Sequence, residues 1–143
     1  MIAFGWVKRR HVTIRQHQQR IGLVARNPNG AKFRQDLFNL YLRTNNRPAA
    51  IRQLEGLLAL QPTNADYNYF RGALAAEEEA WDDAVNYYGK ALQFNEQHNR
   101  AYFALAGVHL SRDDADAALG VLARARKKFK ATFSLEYYSA LAY

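Results

Sequence analysis

The sequence predicts an all-α fold of antiparallel helix pairs with a constant repeat length, on three observations. Ala50, Ala84 and Ala118 recur at a 34-residue spacing, each within a similar apolar pattern. A second triplet on the same spacing, Leu57, Ala91 and Ala125, follows seven positions behind the first. Around both triplets apolar residues recur at steps of three and four, the stripe of a helix with one buried face rather than the alternation of a strand. A unit of two helices cannot bury its own apolar face, so such units stack and expose an extended surface suited to holding another molecule.

With Ala31 opening a unit, three full repeats span 31–64, 65–98 and 99–132. Half-repeats at 13–30 and 133–143 flank them, and a basic segment, 1–12, precedes the array. The middle repeat is the clearest. A first helix runs from Tyr67 to Glu77, a turn from Glu78 to Trp81, and a second helix from Asp82 to Phe94, with Trp81, Ala84, Val85, Tyr88, Ala91 and Leu92 forming its apolar stripe. Asp82 and Asp83 suit the amino-terminal dipole of that second helix. The repeat before it carries Leu37, Leu40 and Tyr41 on its first helix and Ala50, Ile51, Leu54, Leu57 and Leu58 on its second. Pro48 falls in the first turn of that second helix, where a missing N–H costs nothing. Pro62-Thr63-Asn64 ends it, and Pro28, one full period earlier, marks residues 13–27 as the second helix of a preceding unit. At the next boundaries Glu96-Gln97 and Lys130-Ala131 replace the proline signal while the alanine spacing continues. Gly72 and Ala106 form a further small pair on the first helices, where neighbouring helices must approach closely.

This 34-residue unit, with Gly72, Trp81, Ala84, Tyr88 and Ala91, resembles the tetratricopeptide repeat (TPR) over about residues 13 to 143. Residues 13–30 depart from the pattern, since Gln16 and Arg20 replace a small and an aromatic residue. The resemblance implies a right-handed α-solenoid of antiparallel helix pairs in which Ala50, Gly72, Trp81, Ala84, Tyr88, Ala91, Ala118 and Ala125 close the packing. It also implies a concave groove lined by the first helices, which in such proteins usually holds a peptide or protein. The expected function is a non-enzymatic adaptor or scaffold that binds a partner peptide there. Carried over position by position, the groove candidates are Gln35, Asn39, Tyr69, Phe70, Ala73, Arg100, Phe103, Gly107 and Tyr137. Tyr69, Phe103 and Tyr137 form an aromatic series on the repeat period beside the small residues Ala73 and Gly107, which suits an apolar or aromatic peptide. The alternative is that these rings only pack between units. Some family members grip carboxylate-terminated chaperone tails with a two-carboxylate clamp. Here Asn39 fits that clamp and Arg100 is a basic equivalent, but Gln35, Phe70 and Ala104 occupy the remaining positions, so chaperone-tail recognition is not expected.

Chemistry is poorly supplied. His11, His17, His98 and His109 are scattered without a nucleophile or metal-ligand spacing. His109 shares the repeat slot of Tyr41 and Tyr143 and reads as a packing residue. Gly89-Lys90 lacks the glycine-rich loop of a phosphate site. No cysteine is present, which removes disulfides and thiolate chemistry. No catalytic residue, cofactor or metal is therefore expected. The acidic residues Glu77 to Glu79, Asp113, Asp114 and Asp116 fall at turns and helix starts, as helix dipoles favour.

The formal charge of +7 is uneven: Lys8, Arg9, Arg10, Arg15, Arg20, Arg26, Lys32 and Arg34 all precede the first acidic residue, Asp36. A second basic patch, Arg124, Arg126, Lys127, Lys128 and Lys130, sits at the end of a second helix, where the dipole favours cations. Together the two clusters could attract RNA or anionic lipid, but no base-reading pair recurs from unit to unit, which weighs against nucleic acid. Apolar Ile2–Val7 running into Lys8-Arg9-Arg10 has the wrong order for a secretory signal. It reads either as a frayed terminus or as the cytoplasmic, membrane-proximal flank of a trimmed span. The cytoplasm is the default expectation, with membrane association if the chain belongs to a longer protein. Leu135, Tyr138, Leu141 and Ala142 would lack a covering helix, so a self-assembling module, a homo-oligomer through uncapped repeat ends, is the competing expectation.

Overall fold

The computed structural model describes residues 30–129, and among them all regular structure is α-helical. Six helices follow one another: α1 (Ala31–Arg43), α2 (Arg47–Leu60), α3 (Ala65–Glu77), α4 (Trp81–Phe94), α5 (Asn99–Ser111) and α6 (Ala115–Lys128). The helices α1, α3 and α5 start and stop at the same 34-residue interval, and so do α2, α4 and α6, so the period read from alanines holds at every helix boundary.

The turn inside each pair explains that regularity. Asn45, Glu79 and Asp113, again one period apart, all take left-handed backbone angles, with φ of 55°, 57° and 57°. In the next residue the N–H of Asn46, Ala80 and Asp114 reaches back to the carbonyl of Tyr41, Ala75 and His109, at 2.8, 2.9 and 2.9 Å. This is the Schellman arrangement that satisfies the last carbonyls of a helix and reverses the chain. The reversal delivers the start of the second helix immediately, because the N–H of Ala50, Ala84 and Ala118 bonds the carbonyl of Asn46, Ala80 and Asp114. Asparagine and aspartate tolerate the left-handed turn position; Glu79 is the costly occupant, on the order of 1 kcal/mol.

The described residues fall into two compact units, divided between Leu60 and Gln61. In the first, α1 packs against α2. Leu37, Phe38 and Tyr41 from α1 and Ala49, Ala50, Leu54 and Leu57 from α2 are buried. In the second, α3 packs against α4 and α5 against α6, while α4 contacts α5 and α3 touches α5. Its core runs through Ala75, Ala84, Tyr88, Ala91, Leu92, Tyr102, Leu105, Ala106, Leu122 and Ala125. All the alanine and leucine residues of the two founding triplets have no solvent exposure. Trp81 and Val85 are partly buried and pack on this core.

Two details differ from the sequence expectation. Helix α3 begins at Ala65 rather than Tyr67, because the Asn64 side chain accepts the Tyr67 N–H at 3.1 Å and caps the helix earlier. Trp81 belongs to α4 rather than to the turn, since the left-handed turn ends one residue earlier, at Ala80. Gly72 is required by close approach: a Cβ there would lie 2.8 Å from the ring of Tyr88, so the aromatic ring of α4 lies directly on the backbone of α3.

Candidate functional site

The candidate site is built on the second unit, on its first helices α3 and α5. From α3 come Tyr69, Phe70 and Ala73, all half-buried; from α5 come exposed Arg100 and half-buried Phe103, Ala104 and Gly107. Tyr69 is the centre. Its ring lies 5.6 Å from Tyr88 and 5.0 Å from His98, both tilted, and meets Phe70 edge-on at 5.6 Å. The Arg100 guanidinium sits 5.1 Å from the same ring, a cation–π contact that joins the start of α5 to α3. Tyr69 and Phe103 both pack partly on the core, so each ring has an anchored part and an exposed part. At Gly107 a Cβ would meet nothing within 4 Å, so α5 leaves open space one turn beyond Phe103.

His98, buried at 8% exposure, ties this arrangement together. Its Nδ1 accepts the Ala101 N–H at 3.2 Å and caps α5, and its Nε2 lies 2.9 Å from the Asp66 carboxylate on α3. A ring nitrogen that accepts must be unprotonated, so in the neutral ring Nε2 carries the hydrogen and donates it to Asp66. Beside it, Asn68 is buried and donates to the carbonyls of Pro62 and Asn64, tying α3 to the loop before it. Burial raises the Tyr88 hydroxyl to about 12, with the negative charges of ionised Tyr69 and Glu77 adding to the effect.

Of the candidates on α3 and α5, the structure brings Phe70 and Arg100 onto the Tyr69 ring, and Ala73, Phe103 and Gly107 are half-buried on the same two helices. Gln35 and Asn39 are exposed on α1, in the first unit. Tyr137 lies outside the described residues, as do Leu135, Tyr138, Leu141, Ala142, Lys130 and the amino-terminal cluster Lys8, Arg9, Arg10 and Arg15. The basic residues Arg124, Arg126, Lys127 and Lys128 are exposed near the end of α6. Lys128 pairs with Glu96 at 2.8 Å, and Arg124 lies 5.8 Å from the Tyr102 ring. Sequence reasoning missed the Asp66–His98 and Glu96–Lys128 pairs. Both are separated by 32 residues, one period less two, so complementary charge at that offset was the available signal. No described helix is long and apolar enough to cross a membrane.

Two sequence profiles described as tetratricopeptide repeat match residues 36–95 and 75–142, and between them they take in most of the chain. The chain belongs to the tetratricopeptide repeat family. Solved TPR structures share its fold. A crystal structure of MamA superposes with a TM-score of 0.79 at 20% identity, over 89% of this chain and 74% of that one. YrrB, described as a TPR protein with an unusual peptide-binding site, gives 0.76 at 18%, over 97% and 72%. The TPR2B domain of yeast Sti1, solved as a complex with pHsp70, gives 0.70 at 19%, over 78% and 94%. At these identities the likeness is one of fold. No curated protein sequence matches the chain. TPR units are generally non-catalytic interaction modules, which makes a protein-interaction role the natural reading of this fold.

Proposed function

We propose that the chain is a non-enzymatic adaptor that holds a peptide segment of a partner protein on the face formed by α3 and α5. The observation that carries this reading is the state of Tyr69: a ring fixed by Tyr88, His98 and Arg100, yet still half-open to solvent. A pre-positioned aromatic ring loses little conformational freedom on binding and offers both an apolar face and a polar tip, which is why such rings dominate binding energetics. Phe103 supplies a second apolar surface, and the open position at Gly107 leaves room for a ligand side chain. Arg100 adds a cation able to orient a carboxylate or carbonyl of the bound segment. Two neighbours in fold, YrrB and the Sti1 domain, are described by their peptide-binding site and their pHsp70 complex, which favours the same use of the fold here.

The test is a peptide selected from a displayed random library on the wild-type protein, then titrated against variants. Tyr69→Ala combined with Phe103→Ala should weaken it by at least tenfold, since truncating one aromatic anchor typically costs about 2 kcal/mol. Arg100→Glu, at an exposed position, should weaken it without changing the helical circular dichroism. Unchanged affinity in both variants would leave the aromatic series with a packing role alone.

A further inference from the structure

A cleft of about 400 Å³ on the second unit is lined by residues of α4, α5 and α6 and shares none with the face just described. Leu92 and Tyr102 form its floor, and Glu96, Arg124, Lys127 and Lys128 stand around it. Both floor residues are buried, and the Tyr102 hydroxyl is held by the Glu96 carbonyl at 3.1 Å. The rim is unbalanced. Arg124, Lys127 and Lys128 bring three positive charges against the single carboxylate of Glu96. The carboxyl ends of α4 and α6 contribute about half a negative charge each, so a positive surplus of about one charge remains. Helix-dipole complementarity accounts for some of these cations but leaves the surplus unmatched.

The cleft already accepts a carboxylate. Glu96 Oε2 lies 2.8 Å from Lys128 Nζ, and this contact holds the Glu96 carboxyl below its ordinary range and Lys128 above its own. Both partners are exposed, and exposed ion pairs contribute little, so a carboxylate from another chain can displace Glu96 at small cost. Tyr102 and Leu92 are only 2% and 3% exposed, with Phe129 edge-on to the Tyr102 ring at 5.9 Å, so they close the cleft from below and recognition falls to the rim, where a ligand's carboxylates can meet Arg124 and Lys127.

From this juxtaposition of a cationic rim and an exchangeable internal carboxylate, we infer that the α4–α6 cleft is a second peptide site that takes an acidic segment. It is independent of the Tyr69 face. The two sites would let one chain hold two ligands of different chemistry.

The probe is a short fluorescein-labelled glutamate-rich peptide, followed by anisotropy at low ionic strength. Arg124→Glu with Lys127→Glu should weaken binding about tenfold, and Glu96→Gln should tighten it about threefold by removing the internal competitor. Asp116→Asn, an equal charge change in the first turn of α6, should leave it unchanged. Tyr69→Ala with Phe103→Ala should also leave it unchanged, so loss of the first-helix site and loss of this one remain distinguishable. Three results overturn the inference: no binding of the peptide, equal tightening by Asp116→Asn and Glu96→Gln, or loss of binding in the Tyr69 and Phe103 variant. Single-stranded RNA or phosphatidylserine vesicles that bind more tightly than the peptide, and lose binding in the Arg124 and Lys127 variant, overturn it in favour of a general polyanion surface.

Discussion

Gly72 and Gly120 both lie within helices, yet they answer to different forces. Glycine in a helix costs about 0.5–1 kcal/mol relative to alanine, so an open position should gain from replacement. At Gly120 a Cβ meets nothing within 4 Å, and Gly120→Ala is expected to raise stability by about 0.5–1 kcal/mol. At Gly72 the same Cβ would lie 2.8 Å from the Tyr88 ring, so overpacking wins. Gly72→Ala should lower stability by about 1–3 kcal/mol, and Tyr88→Leu should recover part of the loss. Ala84→Leu belongs with Gly72, since Ala84 has no exposure; a comparable loss in melting temperature is expected. Chemical denaturation of the four variants checks all of this, and a stabilised Gly72→Ala would contradict the close approach. His98 makes a second residue-scale case. His98→Ala should cost about 1–2 kcal/mol, whereas His98→Asn, which can still cap α5, should cost less.

At the scale of elements, the turn between paired helices sets where each second helix begins, and its weakest member is Glu79. Glu79→Gly should stabilise the second unit by about 0.5–1 kcal/mol by relieving a left-handed glutamate. A lower melting temperature in that variant would contradict the turn assignment. Pairs between elements respond to pH with a definite sign. Glu96 is depressed below its usual 4.5, so its pairing contributes above that value and is lost as pH falls through the lowered one. Lys128 is raised above its usual 10.5, so its share is full below 10.5 and is lost on going higher. The melting-temperature difference between wild type and Glu96→Gln should therefore be flat between those limits and shrink outside them. Tyr88 acts only in alkali. Raised from 10.0 to about 12, its neutral form favours the folded state, and that contribution fades between those two values. Ultraviolet titration should show one phenol ionising late, and Tyr88→Phe should remove that step.

For the molecule as a whole, the all-α pairing and its 34-residue period were legible in Ala50, Ala84 and Ala118, because small buried residues can recur only where backbones approach alike. Helix starts were less legible. Asn64 and His98 cap α3 and α5 through side-chain contacts that no apolar pattern encodes. The candidate site was legible as a set of positions, Tyr69, Arg100 and Phe103, but not as a constellation. The cation–π contact and the His98–Asp66 bond depend on how α5 lies beside α3, and that geometry comes from packing rather than from periodicity. Glu96–Lys128 was hidden for the same reason, and with it the second cleft. At this scale the α3–α5 face is proposed to hold a peptide through Tyr69 and its neighbours. The proposal's most direct test is calorimetric titration of a library-selected peptide into wild type and into the Tyr69→Ala, Phe103→Ala variant, with helical content measured on both. An affinity loss of tenfold or more with helical content retained is the predicted result; equal affinity in the two proteins would contradict it.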